Sequence, residues 1–353
     1  MRIFKFIFTL MLATFLTGSL NASDKKVITW KLAQTWGTGM PIFGEAVTNM
    51  AERVKKMSNG RLIIKIDSKN KHKSAFGIFD FVKSGRYQMG HSASYYWKGK
   101  DMNTMFFTTV PFGMIATEQY AWFYYGGGME LSKEVYGKHG LMSFPGGNTG
   151  NQMGGWFKKE MNTVEDFKGL KMRIPGFAGE VLSKLGASVV NIAAGELYTA
   201  LDRGTIDALE WVGPALDLKM GFHKIAPYYY TGWHEPATEL QFLVNEKAFN
   251  KLPADLQEIV KEAMKSSAYD MLSQSINDNA VSLANIKKDY PNVQIKTFSK
   301  DIMTRISAET DKLLNEMSAK DPMAKKIIDH QQAYLKKVRA WTNISDFAYL
   351  KSY

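Results

Sequence analysis

The sequence predicts an α/β fold in two domains, and three observations lead there. At 353 residues the chain is longer than one hydrophobic core usually serves. Residues 27–66 read as strand, helix, strand, the repeating unit of a parallel sheet whose ligands gather at the carboxyl ends of its strands. The same alternation restarts after Pro145, Gly146 and Gly147, so those residues read as punctuation and a domain crossing is expected there.

In chain order, residues 27–33 form a strand candidate, and Phe43, Val47, Met50, Ala51 and Val54 then fall at helical spacing. Ser58, Asn59 and Gly60 stop that helix before the strand at 61–66. Trp36 lies just past the first strand, as a ligand contact or as a loop-packing aromatic. Residues 76–83 read as a helix and 88–94 as a short strand, which places Tyr95, Tyr96 and Trp97 at a strand end, again as ligand contacts or as packing. Phe106, Phe107, Phe112 and Met114 are assigned to core or cleft wall, and the helix at 121–128 ends hard on three glycines. A strand at 141–144 precedes the expected crossing. Beyond it come a strand carrying Arg173, a helix to Leu185, strands at 189–192 and 206–211 around a helix that reaches Arg203, and a strand at 239–245. A long amphipathic helix starts at Pro253 and extends towards Leu283. A short strand at 293–298 is followed by helix from Lys300 to Trp341, broken at Asp321 and Pro322, a tail able to pack across both domains or against a second subunit.

Composition narrows the function. Hydrophobic residues at 45% and charged residues at 22% are ordinary for a globular protein. There is no cysteine, which excludes thiol catalysis, cysteine metal ligation and disulfides. Arg2 and Lys5 precede an apolar run to Leu16 and small residues up to Ala22, the order of a secretory signal peptide; residues 1–22 are expected to be cleaved off, leaving a periplasmic protein. The competing reading, a membrane anchor, needs a span of about 20 apolar residues, and this run is shorter. Losing Arg2 and Lys5 lowers the formal charge from +11 to +9, a basic field that draws anionic solutes. The lysine pairs are scattered along the chain, so no nucleic-acid partner is expected.

Chemistry concentrates between Asn148 and Asn245. Asn148, Asn151 and Gln152 put three side-chain amides in five residues, either a polar turn or oxygen donors for a hard cation. Arg173 is followed by Pro175, Gly176 and a helix start, where backbone N–H groups favour an anion. Read as a surface-accessible side chain, it either clamps a carboxylate with two parallel hydrogen bonds or binds nothing. Glu210, in a mostly apolar strand, needs a partner, a cation or a structural arginine.

The segments Gly154-Gly155-Trp156-Phe157, Leu170-Lys171-Met172-Arg173-Ile174-Pro175-Gly176, the run from Ala200 through Asp207, Glu210 and Trp211 to Pro214, and Gly232-Trp233-His234-Glu235-Pro236 resemble the solute-binding subunits of tripartite ATP-independent periplasmic (TRAP) transporters, the DctP-like family. The resemblance covers essentially the whole chain after the signal segment and is closest to the branch that binds 2-oxo and 2-hydroxy monocarboxylates with a metal ion. It implies a two-lobed periplasmic-binding-protein-like α/β fold with a long domain-spanning helix and a helical C-terminal tail. Lobe I would comprise 23–146 plus about 234–265, lobe II 147–233 plus about 266–299, and the tail 300–353.

The implied function is an extracytoplasmic receptor, not an enzyme, that delivers an acid of the lactate or pyruvate class to a membrane permease. In that branch Arg173 stands where the carboxylate clamp does, with Tyr95, Tyr96, Asn148 and Trp211 as further solute contacts. Gln152, Glu210, the Trp211 carbonyl and Glu235 would surround the cation, with Glu239 and Gln241 as alternatives for the last ligand. His234 is a competitor or a helper that hydrogen-bonds its neighbours. Two glutamates plus the solute carboxylate favour Ca²⁺ over Na⁺, and an all-oxygen shell disfavours zinc. The tail helices can form a homodimer. The rival from another class is an exported metal-dependent hydrolase with Glu210 or Glu235 as general base, yet the chain has no His-Glu-x-x-His helix, no nucleophile elbow and no cysteine. An adhesive protein would leave Arg173 and Glu210 at strand ends without a use.

Overall fold

A computed structural model describes residues 27–352, so the expected signal segment 1–22 lies outside the described residues. The strands are β1 (Ile28–Gln34), β2 (Leu62–Asp67), β3 (Met89–Ser92), β4 (Leu141–Asn148), β5 (Gly155–Phe157), β6 (Lys171–Arg173), β7 (Ser188–Val190), β8 (Ala208–Leu209), β9 (Tyr228–Tyr230), β10 (Glu239–Asn245) and β11 (Gln294–Lys296). They form two sheets, in the orders β2-β1-β3-β10-β4 and β11-β9-β5-β8-β6-β7. The parallel pairing expected from the first strand-helix-strand unit holds for β2, β1 and β3. Both sheets are nevertheless mixed. β10 runs antiparallel to β3 and β4, and β5 antiparallel to β8 and β9. These two strands are where the chain enters each sheet from the other, without the crossover helix that parallel entry requires.

Pro145, Gly146 and Gly147 do not end a strand as expected; β4 continues through them to Asn148. β4 is the edge of its sheet, where a missing N–H costs least, and the register slips between Leu240 and Gln241 opposite Pro145. The acidic-aromatic strand expected at 206–211 shrinks to Ala208 and Leu209, which leaves Glu210 and Trp211 just past its carboxyl end.

The helix Phe43–Met57 buries Val47, Met50 and Val54 against Val260 and Met264 of the long helix Ala254–Asp289. At 1.5 Å per residue those 36 residues span roughly 54 Å. The helix packs on β4 in one sheet and on the helix Pro214–Met220 that follows β8 in the other. Its buried stripe runs from Leu256 to Ser275, after which only Ile286 is buried, so the amphipathic pattern belongs to the part lying on both lobes' flanks.

The tail breaks where Asp321 and Pro322 predict. Asp321 Oδ1 accepts from the N–H groups of Met323 (2.7 Å) and Ala324 (3.2 Å), capping a helix that opens on proline. The helix Lys300–Lys320 packs against Gly176–Lys184, beside the second sheet. Pro322–Ile344 returns to Ala116–Tyr125, beside the first. Among the described residues no helix is long and apolar enough to cross a membrane.

Candidate functional site

β6 and β8 are parallel neighbours with Arg173 opposite Leu209, so their carboxyl ends bring Arg173 and Glu210 together. Both are 1% exposed. Arg173 Nη1 donates to the Glu210 carboxylate (Oε2, 3.1 Å) and to the Glu210 backbone carbonyl (2.5 Å), and Nε donates to the Ile192 carbonyl (3.3 Å). The expectation of a surface-accessible Arg173 is thereby corrected: it is a buried guanidinium, because residues 192–211 and the tyrosines of the other lobe close over it. The structural arginine weighed as a partner for Glu210 and the clamp weighed for Arg173 are one pair. Nη2 has no acceptor among the described residues. The guanidinium carbon also lies 5.4 Å from the Trp211 ring centroid, a cation–π contact.

Tyr95 and Tyr96 reach this pair from the 3₁₀ turn Ser94–Trp97 after β3. Their rings stand edge to face at 4.8 Å. Burial raises both phenols well above the ordinary range for Tyr95 and above it for Tyr96, with Glu235 adding to the shift at Tyr95 and Arg173 opposing it at Tyr96. Tyr95 packs onto Gly176, which has φ 63° and leaves only 3.1 Å between its absent Cβ and the Tyr95 ring. Trp97, by contrast, is a core residue hydrogen-bonded to Tyr136. Trp36 donates to His91 Nδ1 (2.8 Å) and packs on Phe43, whose ring in turn meets Trp211 at 6.2 Å. Trp36, Tyr96 and Trp211 line a cavity of 490 Å³ that both lobes bound.

Ligand atoms of Glu210, His234 and Glu235 all lie within 4.8 Å of one another, and all three residues are buried. His234 Nε2 is 3.7 Å from Glu210 Oε1, too far for a hydrogen bond, and neither ring nitrogen of His234 has a partner among the described residues. Burial lowers His234 to about 4, so the imidazole is neutral. Burial pushes the Glu210 carboxyl up while Arg173 pulls it back, and burial together with Glu210 pushes Glu235 up to about 7. Thr238 Oγ1 holds Glu235 Oε2.

Gln152 joins the cluster through its backbone, since its N–H donates to the Glu235 carbonyl at 3.0 Å. Gln152 Nε2 is anchored on Thr149 Oγ1 at 3.1 Å, while Oε1 is buried without a donor. A buried amide oxygen that accepts nothing is costly in a finished core and expected where a cation completes the shell. Two carboxylates and a neutral imidazole in one buried cluster, with an orphaned amide oxygen on the residue whose backbone bonds to it, fit a small hard cation.

The other predicted residues go elsewhere. Asn148 is engaged within its own loop: its Nδ2 donates to Gln119 Oε1 (2.8 Å) and Glu239 Oε2 (3.2 Å), and its Oδ1 accepts from Gly150 N–H (2.9 Å). Glu239 faces Gly146 and Gly147, and Gln241 Oε1 accepts from Tyr136 and Ser143, so neither alternative to Glu235 joins the cluster. Sequence reasoning missed Thr149 and Thr238, which orient ligand side chains, and Asp217. The Asp217 carboxylate accepts from Val212 N–H, Gly213 N–H, Trp156 Nε1 and Tyr229 Oη, fixing the chain just after Trp211. Asp217 sits one helical turn beyond Gly213 at the start of its helix, a cue for backbone capping that the sequence did contain.

Comparison with known proteins agrees with this architecture. A TRAP periplasmic solute-binding protein from Colwellia psychrerythraea, solved with bound calcium and pyruvate, is 71% identical, with a TM-score of 0.92 over 93% of this chain and 100% of that one. Its counterpart from Pseudoalteromonas atlantica, solved with bound sodium and pyruvate, is 68% identical with the same TM-score and coverage. The monocarboxylate 2-oxoacid-binding periplasmic protein of Nostoc sp. is 40% identical over 334 residues, 94% of this chain and 91% of that protein. The profile described as "Bacterial extracellular solute-binding protein, family 7" matches residues 32–321, and the chain belongs to that family, the solute receptors of TRAP transporters, which bind their solutes and are not enzymes.

Proposed function

We propose that this chain captures a small 2-oxo or 2-hydroxy monocarboxylate, of the pyruvate or lactate class, together with a divalent cation, and presents it to a membrane permease. The observation that carries this is the buried meeting of Arg173, Glu210, His234 and Glu235, with Gln152 and its orphaned Oε1 tied to Glu235 through the backbone. Arg173 is the carboxylate clamp, offering Nη2 and, on slight rearrangement, Nη1. Tyr95, Tyr96 and Trp211 wall the solute. Gln152, Glu210, Glu235 and the Trp211 carbonyl hold the cation, with neutral His234 as a further donor beside them. Two carboxylates plus the solute's own favour Ca²⁺ over Na⁺ on charge. Pyruvate bound in two relatives of 71% and 68% identity supports the solute class, with calcium in one and sodium in the other.

The lobes divide along the two sheets, with the first crossing after Asn148 rather than at Gly146 and the tail straddling both. Closure brings Tyr95 over Gly176, and the closed form is favoured by the contacts the ligand makes only there. We place the mature protein in the periplasm after loss of residues 1–22. The tail ends in exposed Trp341, Ile344, Phe347 and Leu350, an apolar face that suits a homodimer. A hydrolase has no support: the family binds solutes, and Glu210, one of the two proposed general bases, is paired with Arg173.

Calorimetry with pyruvate on calcium-loaded protein tests the core of the reading. Tight binding that disappears with chelator is expected, and no heat for any small 2-oxo or 2-hydroxy acid would sink it. Native mass spectrometry of the same sample reports acid, cation and oligomeric state together; a monomer at all concentrations removes the dimer.

A further inference from the structure

Glu239 opens β10, is 2% exposed, and turns its carboxylate toward a bulge in β4 instead of toward the cation cluster. Its Oε1 accepts from the N–H groups of Gly146 (2.8 Å) and Gly147 (3.1 Å), and its Oε2 from Asn148 Nδ2 (3.2 Å). The bulge is packed on both sides. A Cβ on Gly146 would come within 2.8 Å of the Gln241 backbone, and one on Gly147 within 2.0 Å of Met271 Sδ from the long helix. Both glycines are buried, so their N–H groups need an acceptor inside the protein, and Glu239 supplies it.

The hydrogen-bond pattern also says why that side chain is an acid. Asn148 commits its Oδ1 to Gly150 N–H, so only its Nδ2 can face residue 239. A glutamine there would satisfy the bulge with its oxygen and then meet the Asn148 donor with a second donor. A carboxyl group, ionised or neutral, keeps a lone pair on each oxygen for the bulge and for Asn148, which an amide cannot do.

This arrangement reaches the site through the chain. Gly150, held by Asn148, turns with φ 70°, and two residues on Gln152 carries the orphaned Oε1. The facing segment is tied to the same loop, by Thr149 N–H to the Thr238 carbonyl (3.1 Å) and Gln152 N–H to the Glu235 carbonyl (3.0 Å).

We propose that Glu239 is a positioning residue of the cation site: by fixing the Gly146–Gly147 bulge and the Asn148 side chain it sets the turn that presents Gln152 Oε1 beside Glu235. The inference rests on reading Gln152 and Glu235 as cation ligands. Glu239 itself touches neither cation nor solute.

The test is calcium titration of the full chain by calorimetry, with thermal melts of the same metal-free samples. E239Q weakens calcium binding by about tenfold, the range found for residues that orient metal ligands. The E239Q/N148D pair recovers most of that loss, because the introduced carboxylate accepts from both Gly150 N–H and the introduced amide; recovery is incomplete because Gln119 Oε1 loses its donor. A lower melting temperature in E239Q with unchanged calcium affinity, or no recovery in the pair, overturns the proposal. A parent chain that binds no calcium overturns the cation assignment beneath it, a failure separable from the other two.

Discussion

Arg173→Ala separates the two jobs the structure gives one guanidinium. The substitution removes the 3.1 Å pair with the Glu210 carboxylate and the bonds to the Glu210 and Ile192 carbonyls, leaving Glu210 1% exposed with no cationic partner. Breaking a buried ion pair costs about 3–5 kcal/mol. Burial raises the Glu210 carboxyl to about 8 even with Arg173 present, so the ionised pair forms fully only above that pH, where the low end, about 3 kcal/mol, is the expected loss for the metal-free protein. The loss shrinks below pH 8, where Glu210 takes up a proton, and shrinks again with calcium, whose charge takes over the guanidinium's role at Glu210. Domains of this kind have roughly 5–15 kcal/mol in hand, so the variant remains folded. Binding suffers separately. Charge-assisted hydrogen bonds contribute about 1.5–3 kcal/mol each, so losing a clamp on the acid carboxylate weakens pyruvate binding by roughly a hundredfold or more at saturating calcium. Urea melts with and without calcium, paired with pyruvate calorimetry, measure both terms. Pyruvate affinity within a few-fold of the parent would refute the clamp. A stability loss under about 1 kcal/mol, insensitive to pH, would refute the buried pair. Arg173→Lys is the companion: it keeps a charge near Glu210 but not the planar fork, so stability returns further than affinity.

The remaining predictions use the same cluster. The folded-state pKa of Glu235, about 7, lies above its ordinary 4.5, and Glu210 shifts the same way, so both stabilise the metal-free protein at low pH. That contribution is lost as pH rises from 4.5 through about 7, while a bound cation favours the ionised forms. The calcium-induced rise in melting temperature should therefore grow between pH 5 and 8; a shift independent of pH would show that neither glutamate is a ligand. Gln152→Met removes an acceptor that has no donor and with it the Nε2 bond to Thr149 Oγ1, two effects that oppose each other, so the metal-free protein should melt within a few degrees of the parent while calcium affinity falls by about tenfold or more. Earlier melting with intact calcium binding would make Gln152 an ordinary core residue.

Much of the fold was legible in the chain. The 3.6-residue spacing of Val47, Met50 and Val54, the Ser-Asn-Gly stop and the Asp321-Pro322 break each act within a few residues, and each appears where local chemistry puts it. Pro145 misled because its meaning depends on which neighbour is missing: only an edge strand with a slipped register tolerates it, and sheet order is not a local property. The mixed sheets share that cause, since strand direction depends on where the chain comes from.

By itself the sequence determined the inventory: an α/β chain without cysteine, an arginine before a helix start, a glutamate near the end of an apolar strand, and amides and acids in the loops between them. Tertiary structure decided what each was for. It paired Arg173 at the end of one strand with Glu210 just past the end of its neighbour, 37 residues away in the chain. It spent Asn148, Glu239 and Gln241 on backbone and side-chain partners, and left Gln152 Oε1 and His234 with none. A residue type states which bonds a side chain can make. Only the packed neighbours fix which of those bonds are already made.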